Sequence, residues 1–180
     1  MRRARVLPGQ ASFFEPPTPD LLSTPPEDEA PLRGLTLWQP WAYAVLHLGK
    51  RLENRPWKPW PSMVGPWFAL HAAARRKPSE EAWVLDRIAA LTGKPAPGPG
   101  ALVRGAVLGF GRLSGFVEAS DDPWFLGPEY EGKKNYGWLL PDVVALPTPV
   151  PCKGYYGFWP VPAEALPAVR SAARGVGLAL

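Results

Sequence analysis

The sequence predicts an α+β fold, a small mixed or antiparallel β-barrel with flanking helices, and three observations carry that expectation. Strand-like and helix-like periods alternate along the first half of the chain, whereas short strand-like segments dominate the second half. One long apolar stretch, 101–119, carries Gly105, Gly109, Gly111 and Gly115, as a strand bending through a barrel requires. The chain is 180 residues long, enough to bury one core and short for two.

Taken in order, Gly34-Leu35-Thr36-Leu37 reads as a strand. Trp41, Ala44, Val45 and Leu48 then share one helical face, which predicts a helix from about Pro40 to Leu48. Pro40 suits the first turn and Gly49 the left-handed stop. Residues 50–55 alternate polar and apolar as a short strand ended by Pro56, with Glu53 and Arg55 on one face and Lys50 at the turn. Trp67 to Ala72 is an apolar strand. Ser79 is placed as the cap of a helix with Glu80 and Glu81 in its first turn, Val84, Ile88 and Leu91 on its apolar face, and Gly93 as its stop. The stretch 94–100 reads as a surface loop, 101–119 as one long bent strand, and 136–140, 142–146 and 154–159 as three further strands. A C-terminal helix is expected near Ala168 to Arg174.

Composition excludes several classes. Cys152 is the single cysteine, so no disulfide framework exists, and with His47 and His71 the only histidines there is no cluster of zinc-ligand spacing. Neither a metal nor a cofactor is expected. No run of apolar residues is long enough for a membrane span, and the N-terminus lacks the apolar stretch of a secretory signal, so a cytoplasmic protein is expected. The formal charge is +4, but residues 1–31 hold three basic and five acidic side chains, which leaves 17 basic and 11 acidic in the remainder. A basic body favours polyanionic partners. The 25 prolines and nine tryptophans indicate a loop-rich fold with ring faces for packing or base stacking. Residues 8–31 combine Pro16-Pro17, Pro19, Pro25-Pro26 and Glu27-Asp28-Glu29 with no period, which predicts an extended tail.

Three segments together resemble a known family. They are Gly34-Leu35-Thr36-Leu37-Trp38-Gln39-Pro40-Trp41-Ala42, then Gly49-Lys50-Arg51-Leu52-Glu53-Asn54-Arg55, then Gly65-Pro66 with His71-Ala72-Ala73. Later segments agree: Gly105 to Gly109, Tyr136 to Leu140, and Pro149 to Gly154 ending at Phe158-Trp159. The pattern is similar to the activating signal cointegrator homology (ASCH) domain. The resemblance covers about residues 32–161, leaving a proline-rich extension at 1–31 and a helical extension at 162–180. It implies a barrel like that of pseudouridine synthase and archaeosine transglycosylase (PUA) domains, and a link to RNA binding and RNA metabolism.

The resemblance also implies that Lys50, Glu53 and Arg55 line a cleft, and their chemistry suits one. Arg55 can donate paired hydrogen bonds, Lys50 supplies a point charge, and Glu53 accepts from an amine. The same residues can equally form a structural ion pair. Trp38 and Gln39 are expected near the mouth and Trp41 in the core. His71, Tyr136 and Trp138 complete the candidate binding set, the last two sharing a strand face. Arg75-Arg76-Lys77 and Lys133-Lys134 are either solvated surface or an extension for a phosphate backbone.

The favoured function is a module that recognises a base or nucleotide, with RNA or a nucleotide as partner and single-stranded or duplex DNA as a further possibility. The alternative is a hydrolase acting on RNA or on a modified nucleoside, with Lys50 and Glu53 as its catalytic pair. Amidohydrolases of the family, acting on N4-acylated cytidine, use a threonine three residues after the lysine. Here that position is Glu53, so no hydroxyl nucleophile carries over. A third reading has the proline-rich tail recruit a protein or cover the cleft.

Overall fold

The computed structural model describes residues 31–180. The expected extended tail, with its Phe13-Phe14 and Leu21-Leu22 pairs, lies outside the described residues. β1 (Arg33–Leu37) leads into α1 (Trp41–His47), β2 (Leu52–Arg55), β3 (Trp67–Ala72) and α2 (Pro78–Thr92). Then come β4 (Ala106–Arg112), β5 (Gly115–Val117), the small strands β6 (Glu129–Tyr130) and β7 (Lys133–Lys134), β8 (Tyr136–Leu139), β9 (Asp142–Pro151), β10 (Phe158–Pro160) and α3 (Leu166–Gly175).

The class is α+β, with mixed strand pairing. A five-stranded sheet runs β10-β1-β3-β4-β9, and only β1 and β3 pair in parallel. An antiparallel sheet, β2-β8-β5, packs over it, and β6 pairs with β7 alone. Leu35, Val45, Phe68 and Trp138 share a core between the sheets and α1. Burying a side chain such as Leu35 or Phe68 contributes about 1.5–3 kcal/mol. A second cluster joins Ala69, Phe110 and Trp159 to Val169 and Ala173 of α3. A third seats Val84 and Ile88 of α2 on Ala44 and Leu52, which fixes α2 beside the start of β2.

Several elements differ from the sequence expectation for identifiable reasons. The stretch 101–119 is two strands, because the chain leaves one sheet after Arg112 and joins the other at Gly115, with Ser114 N–H donating to Leu139 O. Its first residues, 101–105, lie outside any strand. β9 extends five residues beyond Leu146 despite Pro147, Pro149 and Pro151; it is an edge strand, where a missing donor is tolerated. β10 is shorter than expected, since Gly157 at φ 74° turns the chain just before it. Lys77, not Ser79, is the N-cap of α2, and Pro78 occupies the first turn. Pro40 is the N-cap of α1, joined to Gln39 by a cis peptide. Gly49 at φ 72° makes the turn that α1 needs to hand over to β2. Among the described residues no helix is long and apolar enough to cross a membrane.

Candidate functional site

The turn at Gly49 sends Lys50 inward rather than outward. Its backbone N–H donates to Ala44 O, and its side chain runs under Trp41 to an ammonium that is 1% exposed. Lys50 Nζ donates to Leu52 O and to Glu53 Oε2, both at 2.6 Å, and lies 5.3 Å from the Trp41 ring centre. Three protons therefore meet three acceptors, one of them a π face. Burial pushes the Lys50 pKa below its ordinary value, while Glu53 pulls in the other direction.

Arg55 approaches Glu53 from the far side, with Nε 3.3 Å from Oε1 but not aligned as a hydrogen bond. Its Nη2 donates to Thr36 O at 2.9 Å, tying β2 to β1. The guanidinium lies over Trp57 and Trp138, 5.7 and 5.8 Å from their centres. Both oxygens of Glu53 thus face a cation. With Lys50 protonated the cluster keeps one surplus positive charge.

This cluster forms the floor of a cleft of about 300 Å³. Trp38 and Trp41 stand on one side, and Tyr156, 80% exposed and 5.5 Å from Trp57, stands at the mouth. Lys77, Lys133 and Lys134 line the cleft as well. Lys77 lies 4.8 Å over Trp38 and pairs with Glu80, whereas Lys134 pairs with Glu118, whose hydrogen bond raises the lysine pKa. Lys133 has no ion-pair partner among the described residues.

Two amides, the half-buried Asn54 and the buried Asn135, also line the cleft and are hydrogen-bonded to each other. Asn54 Oδ1 accepts from Leu126 N–H and from Asn135 Nδ2, and Asn54 Nδ2 donates to Trp124 O. Asn135 Nδ2 also donates to Gly127 O. Because a backbone N–H can only donate and a carbonyl can only accept, both amides have a single consistent orientation. Asn135 Oδ1 is the acceptor the network leaves over.

Of the residues singled out in the sequence, Lys50, Glu53, Arg55 and Trp38 come together here. Trp41, expected in the core, lines the cleft too. Gln39, His71, Tyr136 and Trp138 are buried and lie outside the lining. Gln39 Nε2 donates to Val103 O, and its Oε1 accepts from Tyr43 N–H, so the side chain fastens the start of α1. His71 spans Thr36 Oγ1 and Cys152 O at 3.2 and 3.0 Å. As the carbonyl needs a donor, Nε2 carries the proton, and burial lowers the pKa of the ring. Trp138 and Tyr136 lie directly across from Glu53 and Arg55 in the β2–β8 pairing and share their face of the sheet, packing beside them in the core. Burial raises the Cys152 thiol pKa, against thiolate formation.

The lining residues that the sequence reading missed include Asn54, Tyr130, Glu131, Asn135 and Tyr156. One signal was present: Glu131 and Gly132, at φ 52° and 69°, form the two left-handed positions of a tight hairpin turn between β6 and β7. That hairpin sets Tyr130 opposite Lys133 at the cleft edge.

No protein-family model and no curated protein matches the sequence. Among solved structures, the chain is similar to an ASCH protein of Zymomonas mobilis at 16% identity and a TM-score of 0.45, over 78% of this chain and 94% of that one. Two variants of the same protein align at 15% identity and a TM-score of 0.46, over 79% of this chain and 98% of theirs. All three are named as ASCH structures, the family that the motifs resemble.

Proposed function

We propose that the cleft binds a nucleobase or nucleotide, most naturally as part of RNA. The observation that carries this reading is the combination of indole walls with a cationic, hydrogen-bonding floor in a space of about 300 Å³. That volume is at the lower end of small-molecule sites and suits one nucleoside rather than a peptide or duplex. Rings flanking a base supply sequence-tolerant stacking, and Lys77, Lys133 and Lys134 supply the charge a phosphate needs. Crystals soaked with nucleosides and their 5′-monophosphates test this directly. Density is expected in the cleft, against the Trp38 ring and the Arg55 end of the Lys50–Glu53–Arg55 cluster. Binding elsewhere on the surface, with the cleft empty, contradicts it.

A second reading rests on the lowered pKa of Lys50 beside a carboxylate. In an amide hydrolysis, Glu53 takes a proton from water as the oxygen attacks the acyl carbon, and Lys50 gives a proton to the departing amine nitrogen. The geometry disfavours it, since both oxygens of Glu53 already face cations. Incubation of the protein at high concentration with N4-acetylcytidine discriminates: release of cytidine supports hydrolysis, and no release leaves recognition alone.

A further inference from the structure

Trp83 is not needed where it is by the packing of α2. The helix buries Glu81, Val84 and Ile88, whereas Trp83 is 42% exposed. Its ring is nonetheless held. It stacks on Tyr130 with centres 6.3 Å apart and planes at 23°, and meets Trp41 edgewise at 6.0 Å. Both of those partners line the cleft, so the aromatic surface runs continuously from the cleft wall out to Trp83. Tyr130 stands directly opposite Lys133 in the β6–β7 hairpin, and cross-strand partners present their side chains on the same face. A lysine without an ion-pair partner among the described residues therefore sits beside Tyr130, the ring that joins the cleft to Trp83.

From this arrangement we infer that Trp83 is the platform for a second base of a single-stranded nucleic acid, with Lys133 taking the phosphate that links it to the base in the cleft. The inference rests on the cleft being a base site and extends it. A ring fixed by neighbours loses little freedom on stacking, and a cation between two aromatic platforms matches the alternation of base and phosphate along a strand. Arg87, one helical turn beyond Trp83, adds positive charge on the same side while its Nη2 donates to Pro123 O.

The test compares a nucleoside 5′-monophosphate with a single-stranded RNA tetranucleotide, titrated against the wild-type protein and against Trp83→Ala, Trp83→Phe and Lys133→Ala. Wild-type protein is expected to hold the tetranucleotide more tightly than the monophosphate. Trp83→Ala should lose about 5- to 160-fold on the tetranucleotide, the range contributed by one base stack, and stay within about twofold of wild type on the monophosphate. Trp83→Phe should recover most of the loss. Lys133→Ala should reduce the slope of log affinity against log salt for the tetranucleotide by about 0.7. If the tetranucleotide binds wild type no better than the monophosphate, or Trp83→Ala weakens both probes equally, the inference is overturned and the cleft reading stands. If wild-type protein binds neither probe, both fail together.

Discussion

Replacing Glu53 by Gln removes the negative charge from between two cations while keeping the shape of the side chain. Lys50 is then left at 1% exposure with Leu52 O and the Trp41 ring as its remaining partners. Removing one partner of a buried ion pair costs about 3–5 kcal/mol, and the surviving contacts place Glu53→Gln near the low end, about 3 kcal/mol. That is a large part of a domain's usual stability of about 5–15 kcal/mol, and it lowers the melting temperature by about 6–12 °C. The deficit depends on pH. Burial holds Lys50 below its ordinary value of 10.5, and loss of Glu53 removes the main opposing influence. The folded protein then releases the proton at lower pH than the unfolded chain, so the penalty is full below the folded-state pKa of Lys50 and shrinks as pH rises from there toward 10.5. Adding Lys50→Met removes the stranded ammonium, and the double variant should recover most of the loss, with Arg55 still held by Thr36 O and two indole faces. Urea unfolding followed by tryptophan fluorescence, with unchanged slope, measures all three proteins. A single variant within 0.5 kcal/mol of wild type, or a double variant no better than the single, refutes the view that the cluster is a buried, mutually dependent unit.

Three other outcomes follow from the packing. Asn54→Ala removes three hydrogen bonds to the cleft wall and should cost about 3 kcal/mol, with faster amide exchange at Leu126 as the local readout. His71 is held below its ordinary value of 6.5 by burial, so the unfolded chain takes the proton first as pH falls. Stability is full above about pH 6.5 and declines below it by at most about 1.4 kcal/mol per pH unit, a slope that His71→Gln should abolish. Gly34→Ala would put a Cβ 2.6 Å from the Trp159 ring, and such overpacking should cost about 1–3 kcal/mol in urea unfolding.

Local spacing made the floor of the cleft readable. Lys50, Glu53 and Arg55 lie within one turn and one strand, so the sequence places them together without knowledge of the rest of the fold. Gly49 and Gly93 were legible as helix stops because the left-handed residue is a local requirement. The walls were not legible, since Asn135 reaches Asn54 across 81 residues and only the pairing of β2 with β8 brings them near. Strand alternation put Tyr136 and Trp138 on one face, but it does not say which face is core. The helical pattern rightly sent Trp41 against the core, where it packs on the Val84, Ile88 and Trp124 cluster, but it did not show that the same ring also covers Lys50 at the cleft. The alternation expected of a strand stops at Leu146, and only the place of β9 at the sheet edge explains why it continues through Pro147, Pro149 and Pro151.

Recognition of nucleic acid through the floor of the cleft is open to direct measurement. Titration calorimetry of a single-stranded RNA tetranucleotide at low and high salt, on wild-type protein and the Lys50→Met/Glu53→Gln double variant, addresses this most directly. Binding by wild type that weakens with salt, and its loss in a double variant that remains cooperatively folded, is the expected result. Equal binding by both proteins, or none by either, would contradict it.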